Sequence, residues 1–251
     1  GSIYDMLYDA IRAYPKNLAM EYFDVEFTYR DLCEHIEEVS QALLALDVCP
    51  NESVTICMPN MPEAIFLIYA INKIGAVCNV IHPLSDHDDI VNAVEATQSS
   101  LIFTTDVSAL KVEGVKAKVV VCEVSNSMKP LLKTAYNLKN RKALRYPAEF
   151  IRWKDFLNMR VAYGPVVKRT KDDPAVIIYS GGTTGKSKGI VLSNLCFNAL
   201  STQCYAVCKE ARAGNSILSA LPIFHGFGLG VCIHTMLAGG GRCVLWCGCH
   251  R

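Results

Sequence analysis

Residues 175–193 read AVIIYS-GGTTGKSKG-IVLS, and this order of apolar run, glycine-hydroxyl loop and apolar run decides the fold. Residues 175–180 form a short apolar stretch of the kind a buried strand gives. Three glycines and two threonines then precede two lysines. Glycine lets the chain turn and lets another group approach the backbone closely. Free amides, threonine hydroxyls and ammonium groups are what polyphosphate oxygens require. The loop therefore reads as a phosphate cradle, against the plain alternative of a surface hairpin with solvated lysines.

A Walker A loop, GxxxxGK[ST], is the sharper rival. Gly185, Lys186 and Ser187 fit its end, but its leading glycine would fall on Ser180. A Walker loop also runs straight into a helix whose N-terminus holds the phosphates. Here Lys188-Gly189 leads into Ile190-Val191-Leu192, a strand pattern, and a cap comes only at Ser193 or Asn194, with a helix towards Lys209. The predicted order is strand, loop, strand, helix.

Upstream, short β-branched runs alternate with helical patterns, which predicts an α/β fold with layered, mostly parallel sheets flanked by helices. Residues 19–23 and 26–29 predict a hairpin turning at Asp24-Val25. Thr28 with Asp31 reads as a capping box for a helix carrying Ile36, Val39, Leu43 and Leu46. The strand at 54–58 is followed by Asn60 as the expected cap, Pro62 in the first turn and a helix apolar nearly all round, ended by Gly75. A strand at 76–81, a helix opened by Ser85 and Asp88, and strands near 101–104 and 118–122 repeat the unit. Residues 164–174, GPVVKRTKDDP, read as a linker between a first αβ subdomain (1–163) and the phosphate loop with the start of a second (175–251).

Composition bounds the partners. The 251 residues carry 25 Lys and Arg against 24 Asp and Glu, a formal charge of +1, so no global field draws the chain to nucleic acid. The expected partner is a small molecule. Twelve cysteines sit mostly inside apolar runs, which suits a reducing, cytoplasmic setting. Cys243, Cys247, Cys249 and His250 crowd together, but CxxC spacing is absent and no metal site is assigned. The first residues lack the pattern of a secretory signal. The apolar window 217–238 contains Pro222, His225, His234 and glycines, and reads as strand, loop and helix rather than a membrane span. Between 129 and 145 the only charges are basic (Lys129, Lys133, Lys139, Arg141, Lys142, Arg145), a solvated helix face that also offers weak membrane-surface contact.

With these residues in place, YSGGTTGKSKG resembles the phosphate loop of the adenylate-forming (AMP-binding) superfamily, whose pattern is close to [YF][ST]SG[ST]TGxPKG. Gly181 stands where Ser is usual and Ser187 where Pro is usual, while Gly182, Thr183, Thr184, Gly185, Lys188 and Gly189 match. TYRDL (28–32), MPNMPEAIFLIYAINKIGAVCNVIHPL (58–84), DDPAVIIYS (172–180) and ALPIFHGFGLG (220–230) resemble further segments of the family in order and spacing.

The resemblance implies the N-terminal portion of an acyl-CoA synthetase. Ser180, Gly181, Gly182, Thr183, Thr184, Gly185 and Lys188 would hold the β- and γ-phosphates of ATP, and His225 would stand at the wall between nucleotide and acyl pocket. Gly226, Gly228 and Gly230 with Phe227 would start a helix lining that pocket. The implied reaction joins a carboxylic acid, fatty or aryl, to AMP and then to coenzyme A, with Mg²⁺ on the phosphates. The family's adenine- and ribose-binding segments and its C-terminal domain are not in this sequence, so the fragment is expected to be inactive by itself. A P-loop phosphotransferase and a non-catalytic nucleotide-binding protein are the alternatives. His35, His82, His87, His234 and His250 have no motif around them and read as structural or surface residues.

Overall fold

A reciprocal pair of hydrogen bonds opens the first long helix. After α1 (Ile3–Ala13), Thr28 Oγ1 accepts from the Asp31 amide, and the Asp31 carboxylate accepts from the Thr28 amide, so α2 (Tyr29–Ala45) begins where the capping box predicts. Ahead of it, β1 (Leu18–Tyr22) and β2 (Val25–Thr28) pair antiparallel. Their turn falls on Phe23 and Asp24, with φ of 46° and 60°, one residue earlier than expected. Val25 is β-branched and unsuited to positive φ, so it joins the strand. The computed structural model describes residues 1–141, 146–161, 167–180, 188–208 and 210–247.

Seven strands form the larger sheet. β3 (Ser53–Cys57), β4 (Val77–Val80), β5 (Leu101–Thr105), β6 (Lys118–Cys122), β7 (Ile151–Arg152) and β8 (Pro174–Ser180) run parallel, and β9 (Lys188–Ser193) returns antiparallel beside β8. Their order is β7-β6-β5-β3-β4-β8-β9. The smaller sheet has the order β10-β11-β1-β2, with β10 (Ser216–Ser219) and β11 (Arg242–Leu245) parallel to β1. Both sheets thus take strands from either side of residues 164–174. The mostly parallel α/β architecture flanked by helices is the one the sequence predicts.

Helix α3 (Pro62–Lys73) lies in the interior, with every residue from Pro62 to Asn72 buried. An all-round apolar helix has no face to give to water. Gly75 ends it at φ 83°, and a Cβ there would sit 2.6 Å from Val167. Two expected caps are corrected. Met61, not Asn60, holds the N-cap of α3, with no side-chain bond. Pro62 removes one amide that a cap would serve, and Asn60 spends its side chain on tertiary contacts instead. Helix α4 (His87–Thr97) starts from Asp86 rather than Ser85. Lys111 Nζ takes the carbonyls of Leu84 and Ser85 and keeps both in the preceding loop, while Asp88 and Asp89 offset the helix dipole.

The linker-like segment is tied down where it is described. The Arg169 guanidinium donates to Asn51 Oδ1 and Pro174 O, and Asn194 Nδ2 donates to Thr170 O. Helix α5 (Pro130–Lys139) buries none of its residues, and α6 (Trp153–Asn158) buries Trp153 and Phe156. Helix α7 (Asn194–Val207) follows β9 directly, with Ser193 at its N-cap. After β10 the chain makes a π-helix at Gly228–Thr235, a wider coil than the α-helical pattern predicts.

Candidate functional site

Parallel strands release their connections at one edge, and open α/β sheets bind ligands at the carboxyl ends of their strands. Here both sheets contribute to one cleft of about 700 Å³. The larger sheet supplies Pro59 and Asn60 after β3, His82 and Pro83 after β4, Ser108 after β5 and Met128 after β6. The smaller sheet supplies Pro222 and Phe224 after β10 and Trp246 after β11. One face of α5, with Leu132 and Tyr136, closes the side.

Asn60 joins the two sheets at the floor. Its Nδ2 donates to Ser219 O (2.8 Å) and Leu221 O (2.9 Å), and its Oδ1 accepts from the Ile223 amide (2.9 Å). All three bonds reach the β10 exit, and the side chain is buried.

The glycine-hydroxyl loop leaves the same edge. Ser180 ends β8 and pairs with Lys188 at the start of β9. Gly181, Gly182, Thr183, Thr184 and Gly185 lie outside the described residues, as do Lys186 and Ser187. The stem is described. A Cβ at Gly189 would meet Ile177 at 3.1 Å and the Tyr179 ring at 3.3 Å, so glycine lets that ring lie across the hairpin. The loop returns as a strand, not as a helix N-terminus, which is not the Walker geometry.

His225 sits in the turn after β10. Its amide donates to Pro222 O (3.1 Å), its side chain is exposed, and its ring lies 4.7 Å from that of Phe224. Gly228 makes the turn sterically feasible, because a Cβ there would lie 2.0 Å from Pro222 O. Phe224 also packs on His82, with ring centroids 4.1 Å apart. Phe224 thus touches both histidines; His82 and Phe224 line the cleft, while His225 lies behind Phe224 and is not among the lining residues. Burial, then the neighbouring His225 and Lys111, hold the His82 pKa below the usual histidine value.

His82 and Asn60 line the cleft, although the sequence reading assigned His82 no role and Asn60 that of a cap. Their signal is positional, since each follows directly on a strand of the parallel sheet. His234 stays apart from the cleft, buried between Tyr69 and Asn198. Among the described residues no three His, Cys, Asp or Glu side chains converge as metal ligands, and Cys249 and His250 lie outside them. No helix among those residues is long and apolar enough to cross a membrane.

A family model described as AMP-binding enzyme matches residues 7–250. The chain is 27% identical over 166 residues to acetyl-coenzyme A synthetase 1 of Candida albicans, which covers 65% of this chain and 24% of that protein. It is 30% identical over 168 residues to acetyl-coenzyme A synthetase of Dictyostelium discoideum, covering 65% and 25%. The chain thus spans about a quarter of the length of these curated relatives. The structure of the anthranilate CoA ligase AuaEII in complex with anthranoyl-AMP superposes with a TM-score of 0.79 at 18% identity, over 99% of this chain and 45% of that one. At that identity the likeness is one of fold.

Proposed function

Because the chain belongs to the AMP-binding enzyme family, we propose that it forms the phosphate-gripping and acid-binding part of an AMP-forming acid–thiol ligase. In this reading a carboxylate oxygen attacks the α-phosphorus of ATP, pyrophosphate leaves, and the acyl-adenylate then passes its acyl group to the thiol of coenzyme A with release of AMP. One observation carries the reading: the closed hairpin stem at Ser180 and Lys188 leaves the same sheet edge that opens onto a largely apolar cleft.

Catalysis here is positioning and charge stabilisation. Ser180, Gly181, Gly182, Thr183, Thr184 and Gly185 wrap the β- and γ-phosphates, and Lys188 offsets the charge that grows as pyrophosphate departs. The threonine and serine hydroxyls and the Lys188 ammonium would hold the phosphate oxygens of MgATP, where Mg²⁺ would supply further neutralisation of the triphosphate charge. His225 stands between nucleotide and acyl group. The cleft volume suits a fatty or aryl acid.

The wider setting follows. Eleven described cysteines are all free thiols, which suits a reducing cytoplasm. Helix α5 exposes Leu131 and Leu138 among basic residues, a surface suited to weak contact with anionic lipid.

Calorimetry of the 251-residue chain with MgATP tests the loop. Lys188→Ala and Thr184→Ala are each expected to weaken binding about tenfold or more. Binding unchanged in both variants would reject the loop assignment. Pyrophosphate exchange with fatty, aromatic and short acids, run on the full-length protein, tests the chemistry, and release of ADP would favour the phosphotransferase reading.

A further inference from the structure

Most polar groups of the cleft are already engaged. Asn60 uses both amide hydrogens and its oxygen on the β10 exit. Ser108 Oγ pairs with Thr105 Oγ1 at 3.0 Å. Tyr136 Oη faces Asp106 Oδ2 at 3.5 Å. His82 differs. Its Nδ1 accepts from the Leu84 amide at 2.9 Å, so the neutral ring carries its proton on Nε2. That Nε2 makes no hydrogen bond among the described residues; the residue is exposed, and its ring packs on Phe224 with centroids 4.1 Å apart and planes tilted by 39°.

Position gives this donor a use. Val80 on β4 pairs in register with Ile178 on β8, and two residues further on come His82 and Ser180. The chain at His82 therefore leaves the sheet at the same edge as Ser180, the root of the phosphate loop, and the imidazole lines the apolar cleft. An acid lying in that cleft brings its carboxylate to this boundary.

We propose that His82 is a carboxylate-binding residue, donating Nε2–H to the oxygen of the substrate acid that does not attack phosphorus. The inference rests on the ligase reading above. The other oxygen forms the new O–P bond at the α-phosphorus as the α–β phosphoanhydride bond breaks, and pyrophosphate carries away the bonding pair. His82 neither gains nor loses a proton. A neutral donor orients the carboxylate and leaves its charge available for attack, which a full ion pair would not.

The test uses the 251-residue chain with MgATP present and two probes of equal apolar body, octanoate and 1-octanol. His82→Phe keeps an aromatic ring on Phe224 and removes the donor; His82→Gln retains an N–H near the Nε2 position. Octanoate affinity is expected to fall about tenfold in the Phe variant, with octanol unchanged, and to stay within about threefold in the Gln variant. Octanoate binding unchanged in the Phe variant overturns the assignment. Equal losses for both probes there would mark a disturbed cleft, and the Gln variant then decides: retained octanoate affinity upholds the assignment and a tenfold loss rejects it. Long-range ¹⁵N–¹H spectra should show His82 as the Nε2–H tautomer, and the Nδ1–H form overturns the proposal. If MgATP binds but octanoate does not, only the His82 assignment falls; if neither binds, the ligase reading falls with it.

Discussion

Tyr69 Oη lies 3.0 Å from His234 Nδ1 in the closed interior, and His234 Nε2 lies 3.0 Å from Asn198 Oδ1. Asn198 Nδ2 donates to the carbonyls of Gly1 and Ser2, so its oxygen faces the histidine as an acceptor. Nε2 therefore carries the proton and Nδ1 accepts from Tyr69. Burial lowers the His234 pKa to about 4.

That lowered value makes the fold acid-sensitive. Between pH 6.5 and pH 4 the unfolded chain takes up a proton at His234 that the native state refuses, so stability is complete above this window and falls through it, by about 3 kcal/mol. Urea unfolding of the wild type and His234→Phe across the window checks this. The variant is expected to be less stable at pH 7.5, because Tyr69 and Asn198 lose a partner, but to show a flatter pH profile.

Glu63 should act with the opposite sign. It is fully buried, with Oε1 accepting from Asn126 and Ser127 at 2.6 Å each and Oε2 unpartnered among the described residues. Burial raises its pKa, so stability is lost as pH rises through the raised value. Glu63→Gln is expected to gain about 1–2 kcal/mol at pH 8, while Glu63→Ala strands both donors and costs about 2 kcal/mol. Denaturant midpoints at pH 5 and pH 8 separate the two.

Gly228 and Gly226 should respond differently to the same change. A Cβ at Gly228 would lie 2.0 Å from Pro222 O and 2.7 Å from Leu221 O, whereas at Gly226 it would meet nothing within 4 Å. Gly228→Ala is expected to cost about 3 kcal/mol by forcing the backbone apart. Gly226→Ala should be neutral or stabilising by about 0.5 kcal/mol. Thermal melts of the pair check this.

The capping box predicts a graded series. Thr28→Ala removes the acceptor for the Asp31 amide and should cost about 1–2 kcal/mol, while Thr28→Ser should cost only a few tenths. Chemical denaturation resolves both.

The reading from residues was strongest where local chemistry dominates. The hairpin, the capping box, the buried α3 and the strand after the phosphate loop all follow from neighbours within a few positions. Asn60 misled because a good cap residue is also a good tertiary hydrogen-bonding group, and Pro62 removed part of the need for a cap. Ser85 misled because Lys111, distant in sequence, holds its carbonyl. The π-helix at Gly228–Thr235 has no signature in a 3.6-residue period. His82 and His234 have no motif, and only the contacts at Phe224 and Tyr69 separate a cleft group from an interior one. Residues 181–187 lie outside the described residues, and their phosphate-binding role is a proposal from the sequence and from the stem at Ser180 and Lys188.

The pairing of Met20 with Cys243 joins positions about 220 residues apart. During synthesis at roughly 5–20 residues per second, the hairpin of β1 and β2 therefore waits on the order of 10–40 s for its parallel neighbour. Throughout that interval it offers an unpaired edge to other nascent chains. The smaller sheet is consequently the step at which a folding catalyst or chaperone would most raise the yield of native protein.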